Sequence, residues 1–339
     1  MAEQLRWGIL STAEINDSVI GPLRDAKRSK LVAVASRGLE KAQAYAQEKG
    51  IERAYGDYET LLNDPEIDVI YNPLPNTLHE EWTVAALEAG KHVLCEKPLV
   101  LDEAALDRIE AAQKKSGKVV FEAVKYLHHP QTWKIIQSLQ RGEWGKLQMM
   151  QGWLHFYLPP EDQDNIRLQP QLGGGAYWDL GVYPVGYAIS ISGGVAPVEV
   201  YAIQHKADSG VDISMNVQMH FATGSVAQMS CSFRTPARDD LYIVCDNAVV
   251  HVPVPFSAGV DNKESYFTVT ELEKEQEKRV STEARNPFLG EVEQMEACVL
   301  DGAPPLVPLE LSREFLRTAL AVYASAASKR PVQITPRLT

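Results

Sequence analysis

The chain has 339 residues, 45% hydrophobic and 23% charged, a globular profile long enough for two domains that each bury a core. Its net charge of −12 argues against nucleic acid or an anionic membrane as a broad partner, while a local basic pocket stays possible. Met1–Arg6 lacks the form of a secretory leader, no apolar run approaches membrane-spanning length, and Cys95, Cys231, Cys245 and Cys298 have no paired spacing, so a reducing cytoplasm is the expected location.

From Leu5 the chain alternates short apolar runs with helical patterns. Strands are predicted at Leu5–Leu10, Leu31–Ala35, Asp68–Tyr71, His92–Leu94 and Lys118–Phe121, and helices at Ile15–Asp25, Leu39–Lys49, Tyr58–Leu62, Leu78–Ala89 and Glu103–Ser116. Such alternation predicts a doubly wound parallel sheet with helices on both faces. In that architecture ligands bind beyond the carboxyl ends of the strands, where the strand order reverses. The turn after the first strand reads Ser11-Thr12-Ala13-Glu14-Ile15-Asn16. A dinucleotide fingerprint would carry glycine at Ser11, Ala13 and Asn16, and none is there. Ser11 and Ala13 are nevertheless small, and the helix that follows offers amides to an anion. After the second strand stand Ser36-Arg37-Gly38 and, a little further on, Lys41. An acidic residue there would hold the ribose hydroxyls of NAD, whereas Arg37 can pair with a 2′-phosphate and stack on adenine. This favours NADP(H), with NAD(H) as the alternative. The plainer reading of Arg37 is an exposed charge behind a strand.

The pattern then changes. Val211, Ile213, Met215, Val217, Met219 and Phe221 alternate with polar residues, Asp212 among them, and Ala227–Phe233 alternates again after the turn Ala222–Ser225. A hairpin is predicted. Further strands are expected near Lys146–Phe156, Val198–His205, Leu241–Val252 and Ser265–Thr270, with late helices at Pro287–Leu300 and Ser312–Ala327. The second half reads as an α+β domain on a large, mostly antiparallel open sheet. The expected domains are residues 1–124, for the nucleotide, and residues 125–339, for substrate and oligomerisation.

Two later segments carry more specific information: Ala89–Pro98, containing Glu96-Lys97-Pro98, and Gly173–Pro184, containing Gly173-Gly174-Gly175, Asp179 and Tyr183. With Tyr71–His79, His129-Pro130 and Glu291-Val292-Glu293, they make nearly the whole chain resemble the glucose–fructose oxidoreductase, inositol dehydrogenase and MocA family, known as Gfo/Idh/MocA. The resemblance implies an N-terminal Rossmann-type domain, a nicotinamide cofactor and a sugar-like substrate. It also implies a homodimer or homotetramer packed through the open sheet. Tyr183 stands where many members have histidine, like the branch with dimeric dihydrodiol dehydrogenases, some xylose dehydrogenases and glucose–fructose oxidoreductase. Lys125 and Leu127 stand where close relatives tend to have methionine and arginine.

Hydride transfer from an alcohol requires a base for the hydroxyl proton, and tyrosine, with a pKa of about 10, needs a nearby ammonium to serve. Lys97 and Tyr183 are the expected pair, with Asp179, four residues before Tyr183, holding a substrate hydroxyl on the same helical face. Besides Ser11, Thr12, Ala13, Ile15, Ser36, Arg37 and Lys41, the cofactor is expected to meet Leu74, Pro75, Asn76, His79, Glu96 and Lys97. His129 and Arg167 are candidates for substrate contact beside Asp179 and Tyr183. Each has a plainer reading. Lys97 could pair with Glu96, Asp179 cap a helix, Tyr183 pack in a core, His129 pack before its proline, and Arg167 form a structural salt bridge. No metal is expected, because paired His or Cys spacings are missing. The leading expectation is an aldose 1-dehydrogenase such as a xylose or glucose dehydrogenase. The alternatives are a keto-sugar or dicarbonyl reductase, an NAD-assisted glycosidase and a nucleotide sensor without turnover.

Overall fold

The computed structural model describes residues 4–162, 164–274 and 276–335. Met1–Glu3, the head of the segment read for a leader, and residues 336–339, the end of the expected second domain, lie outside the described residues. Among those described, no helix is long and apolar enough to cross a membrane. The chain divides into two compact units, the residues up to His128 with Phe288–Leu309, and His129–Pro287 with the chain from Glu310 onward.

The first unit contains six strands: β1 (Leu5–Leu10), β2 (Ser29–Ala35), β3 (Arg53–Tyr55), β4 (Val69–Asn72), β5 (His92–Glu96) and β6 (Val120–Ala123). They form one parallel sheet in the order β3-β2-β1-β4-β5-β6. The order reverses between β1 and β4, which opens a ligand crevice at their carboxyl ends. Strands in such a sheet are covered on both faces, which is why β4 is buried at all four positions. The connecting helices are α1 (Asn16–Asp25), α2 (Leu39–Lys49), α3 (Tyr58–Leu62), α4 (His79–Glu88) and α5 (Glu103–Ser116). Local chemistry sets their ends. The Asp57 and Asp102 carboxylates accept the amides of Thr60 and Ala105 at the starts of α3 and α5, and Gly50 and Gly117 close α2 and α5 in the left-handed conformation. β3 was not expected, since three residues pairing at a sheet edge leave no apolar run to read.

The second unit begins with α6 (Pro130–Gln140) and builds a nine-stranded sheet from β7 (Leu147–Tyr157), β8 (Glu199–Lys206), β9 (Asp212–His220), β10 (Val226–Ser232), β11 (Arg234–Cys245), β12 (Ala248–Val252), β13 (Tyr266–Glu271), β14 (Glu277–Ser281) and β15 (Val332–Gln333). The order is β14-β13-β12-β11-β7-β10-β9-β8-β15. All pairs are antiparallel except β10 with β7. The β9–β10 hairpin forms as expected, with Met219 opposite Ala227. The single strand expected at Leu241–Val252 is instead two, turning at Asp246-Asn247, with Val244 opposite Val249. The buried positions run Leu241, Ile243, Cys245 and then, out of phase, Ala248, Val250, Val252, and the polar pair Asp246-Asn247 between them makes the turn. The inner face, including Met150, Met215, Ala227 and Ile243, is fully buried, and α7 (Val182–Ile191) packs against β7 and β10.

Two late helices, α8 (Pro287–Asp301) and α9 (Leu309–Ser328), complete the chain. From Phe288, α8 belongs to the first unit, although the sequence placed it with the second. It is tied to the start of β2: the Ser29 hydroxyl donates to Glu296 Oε1 at 2.8 Å, and the Arg28 guanidinium pairs with Asp301 at 2.6 Å. Gly290 allows the close approach, since a Cβ there would lie 2.5 Å from the His128 carbonyl oxygen. Periodicity identifies a helix but carries no information about which core it returns to.

Candidate active site

In the first unit the turn after β1 contains Ser11 at φ 75°, a left-handed conformation that glycine would adopt without strain. Its amide donates to the Ala35 carbonyl at 2.8 Å, its own carbonyl accepts Asn16 Nδ2 at 3.1 Å, and its hydroxyl is buried without a hydrogen-bond partner. A buried hydroxyl left unsatisfied in the turn at the switch point fits a polar ligand that completes it. Thr12, Ala13 and Ile15 are half-buried beside it. At the end of β2, Ser36 is buried, whereas Arg37 and Lys41 are exposed. Burial raises the pKa of the Tyr58 hydroxyl and the Arg37 charge opposes that rise, so Arg37 projects a positive field at this strand end.

The loop after β4 is organised by side chains buried below it. Asn72, fully buried, donates to the His79 carbonyl and the Thr83 hydroxyl, and its oxygen accepts the Leu74 amide. His79 was expected to border the nicotinamide, but it has no exposed surface. Its Nδ1 lies 2.7 Å from the Pro98 carbonyl oxygen and its Nε2 2.7 Å from that of Leu74. The ring therefore sits between the β4 and β5 loops instead of lining a cleft, and in its neutral form it donates to one of the two carbonyls. Burial holds its pKa down at about 4. Leu74 is buried under the loop, and Pro75 and Asn76 remain half-buried at its surface.

At the end of β5, Glu96 Oε1 accepts the Tyr71 hydroxyl at 2.7 Å. Lys97 follows, half-buried, and the Lys97–Pro98 peptide is cis. Glu291 of α8 is buried close enough for burial, and then the Glu96 charge, to push its pKa well up, while Lys125 opposes the shift. Tyr71 and Glu291 stood within segments read for resemblance, yet nothing in the sequence paired either with Glu96.

In the second unit the three-glycine segment leads into a helix that opens with a π-helical turn, Tyr177–Gly181, before α7. Such turns are frequent at functional sites. The Asp179 amide donates to the Gly175 carbonyl at 3.1 Å, and Arg167 Nε donates to Asp179 Oδ2 at 2.7 Å. The Arg167 guanidinium also lies 5.7 Å from the Phe156 ring centre. Tyr183 is half-buried at the start of α7, its ring 5.9 Å from that of Phe256. Arg167 thus pairs with Asp179, and Asp179 and Tyr183 follow one another along the same helical segment. His129 does not join them as a surface contact. It is 2% exposed and caps α6, its Nδ1 accepting the Gln131 amide at 3.1 Å. Pro130 follows at the first position of α6, and the other ring nitrogen of His129, Nε2, is buried without a hydrogen-bond partner. Among the described residues no cluster of three or more His, Cys, Asp or Glu side chains could hold a metal.

Residues 5–124 match the family described as "Oxidoreductase family, NAD-binding Rossmann fold", and residues 132–251 match the "GFO/IDH/MocA C-terminal domain". A D-xylose 1-dehydrogenase (NADP(+)) of Haloferax volcanii is 34% identical over 334 residues, covering 97% of this chain and all of the relative. A trans-1,2-dihydrobenzene-1,2-diol dehydrogenase of Danio rerio is 31% identical, covering 88% of this chain and 89% of the relative. The structure of a 3-ketoreductase from Actinomadura kijaniata, in complex with NADP and TDP-benzene, superposes with a TM-score of 0.84 at 27% identity, over 96% of this chain and 98% of that one.

Fold, site and relatives define an NAD(P)-dependent oxidoreductase acting on CH–OH or C=O carbons. The chain belongs to the Gfo/Idh/MocA oxidoreductase family.

Proposed function

We propose that the protein uses NADP(H) and oxidises the anomeric carbon of an aldose, as a xylose or glucose 1-dehydrogenase does, with Tyr183 exchanging the hydroxyl proton and Lys97 assisting. The observation that carries the reading is the joining of Asp179, Tyr183 and Arg167 on one segment, with Arg167 bound to Asp179 at 2.7 Å. A carboxylate and a phenol four residues apart at a helix start can hold one polyol hydroxyl and exchange a proton with its neighbour. When bound, the nicotinamide supplies the hydride acceptor or donor. Ser11, Thr12, Ala13, Ile15, Pro75 and Asn76 would hold the cofactor from their two loops, with Leu74 packed beneath. Arg37, Ser36 and Lys41 would hold its 2′-phosphate, which favours NADP over NAD. Glu96, fixed by Tyr71, would orient the strand end that carries Lys97. The full-length likeness to an NADP-linked D-xylose dehydrogenase supports the choice of substrate. The likeness to a 3-ketoreductase supports a second reading, NADPH-dependent reduction of a keto-sugar by the same residues run in reverse.

We also propose that a second copy of the chain covers the outer face of the nine-stranded sheet. Tyr201, Ile203 and Val249 stand 36%, 51% and 40% exposed there, beside Trp153 and Tyr242. An open face of that composition is the kind that oligomers bury.

The deciding experiment is the initial rate of NADP⁺ reduction with a panel of aldoses, run beside NAD⁺ and beside Tyr183→Phe. Sugar-dependent NADP⁺ reduction that falls on the order of 10²–10⁴-fold in Tyr183→Phe is the expected result. A wild-type protein that reduces keto-sugars with NADPH but oxidises no aldose would move the assignment to the second reading. Full activity in Tyr183→Phe would remove tyrosine from the mechanism.

A further inference from the structure

The alternation of β9 assigns Asp212 to the polar side of the strand, opposite the side on which Met215, Val217 and Met219 are buried. The structure reverses it. Opposite β8 the pairing runs His205 to Ser214 and then Lys206 to Asp212, leaving Ile213 as the extra residue of a β-bulge. A bulge of one residue turns the next side chain to the other face, and bulges of this kind recur beside active sites. Asp212 is consequently 3% exposed.

Its carboxylate is fully engaged. Oδ2 accepts the Tyr177 amide at 2.7 Å, the first residue of the π-helical turn, and Oδ1 accepts the hydroxyl of Tyr323 on α9, also at 2.7 Å. The same Oδ1 lies 2.4 Å from where a Cβ on Gly175 would stand, and the Tyr323 hydroxyl 3.2 Å from it. Gly175, at φ 133°, donates its amide to the Arg167 carbonyl at 2.9 Å and accepts the Asp179 amide at 3.1 Å. One buried carboxylate therefore abuts the residue from which the backbone leads to both members of the Arg167–Asp179 pair. The rings of Tyr177, Trp178 and Tyr323 pack within 6 Å of one another around it.

The geometry points to Asp212, held by Tyr323, as the positioning residue of this site: it fixes the Gly175–Tyr183 segment so that Asp179, Arg167 and Tyr183 meet the substrate in one arrangement. Asp212 acts through the backbone and touches no reactant. The inference rests on the roles proposed above for Asp179 and Tyr183.

The test pairs amide hydrogen exchange, read by mass spectrometry, with steady-state kinetics on wild type, Tyr323→Phe, Asp212→Asn and Asp212→Leu. In Tyr323→Phe, faster exchange confined to residues 175–183 is expected, with kcat down on the order of 10–100-fold and the KM for the nucleotide unchanged. Asp212→Asn should retain most of the wild-type rate, because its oxygen can accept the Tyr177 amide and its nitrogen can donate to the Tyr323 hydroxyl. Asp212→Leu should show the largest local increase. Unchanged exchange in residues 175–183 of Tyr323→Phe and Asp212→Leu overturns the inference. So does faster exchange across the whole unit with a lowered melting midpoint and no shift in kcat relative to KM, which is a structural role alone. If the wild type oxidises no sugar, the proposed reaction fails while the exchange measurement still decides whether Asp212 orders the segment.

Discussion

Arg167 Nε donates to Asp179 Oδ2 at 2.7 Å, with the two side chains 37% and 21% exposed. An ion pair this open contributes little to stability, about 0–1 kcal/mol, so under the proposed function its main effect is to orient the Asp179 carboxylate. Asp179 arrives oriented, with one oxygen engaged by Arg167.

Replacing Arg167 with glutamine should therefore leave the melting midpoint nearly unchanged and raise the KM for sugar. Asp179→Asn should raise the same KM, and the double variant should lose less than the sum of the two, since each acts through the other. Strictly additive effects in a double-mutant cycle would show that the pair does not work as a unit.

Arg37 stands exposed behind β2, where a carboxylate would select NAD. Arg37→Glu should raise the KM for NADP⁺ on the order of 10–100-fold, the equivalent of one or two hydrogen bonds to a charged group. The KM for NAD⁺ should change far less. Parallel losses with both nucleotides would place Arg37 away from the 2′-phosphate.

Gly174 cannot accept a side chain, since a Cβ there would lie 2.6 Å from the Arg167 carbonyl oxygen and 2.9 Å from that of Gln169. Both contacts are backbone and neither can swing aside. Gly174→Ala should cost about 1–3 kcal/mol in urea unfolding and disturb sugar binding through Arg167. A fully stable, fully active variant would mean the loop relaxes in a way this packing does not allow.

His79 is fully buried, and burial lowers its pKa from 6.5 to about 4. The unfolded chain therefore takes up the proton first as pH falls. The stability that the neutral ring contributes is complete above about 6.5 and is lost as pH drops through about 4. For one such imidazole this amounts to about 3 kcal/mol. His128, buried and also shifted to about 4, acts in the same direction. Urea midpoints should fall between pH 7 and pH 4.5, with a smaller fall in His79→Gln. Equal slopes for the two proteins would mean that His79 is not neutral in the folded state.

The sequence alone determined the parallel α/β unit, because its strands are buried on both faces and its helices are closed by local caps such as Asp57, Asp102, Gly50 and Gly117. Short-range chemistry of that kind is written in consecutive residues. It also placed Asp179 and Tyr183 on one helix and predicted the β9–β10 hairpin. What only the tertiary structure decided depends on residues far apart in the chain. A bulge, visible only when β8 pairs with β9, turned Asp212 inward under Gly175. The return of α8 to the first unit brought Glu291 near Glu96. The carbonyls of Leu74 and Pro98 made His79 a link between two loops, and Pro130 with the Gln131 amide made His129 a helix cap. In each case the side chain's type was legible, but its partners come from other turns of the chain, and those partners decide what a buried polar group can do.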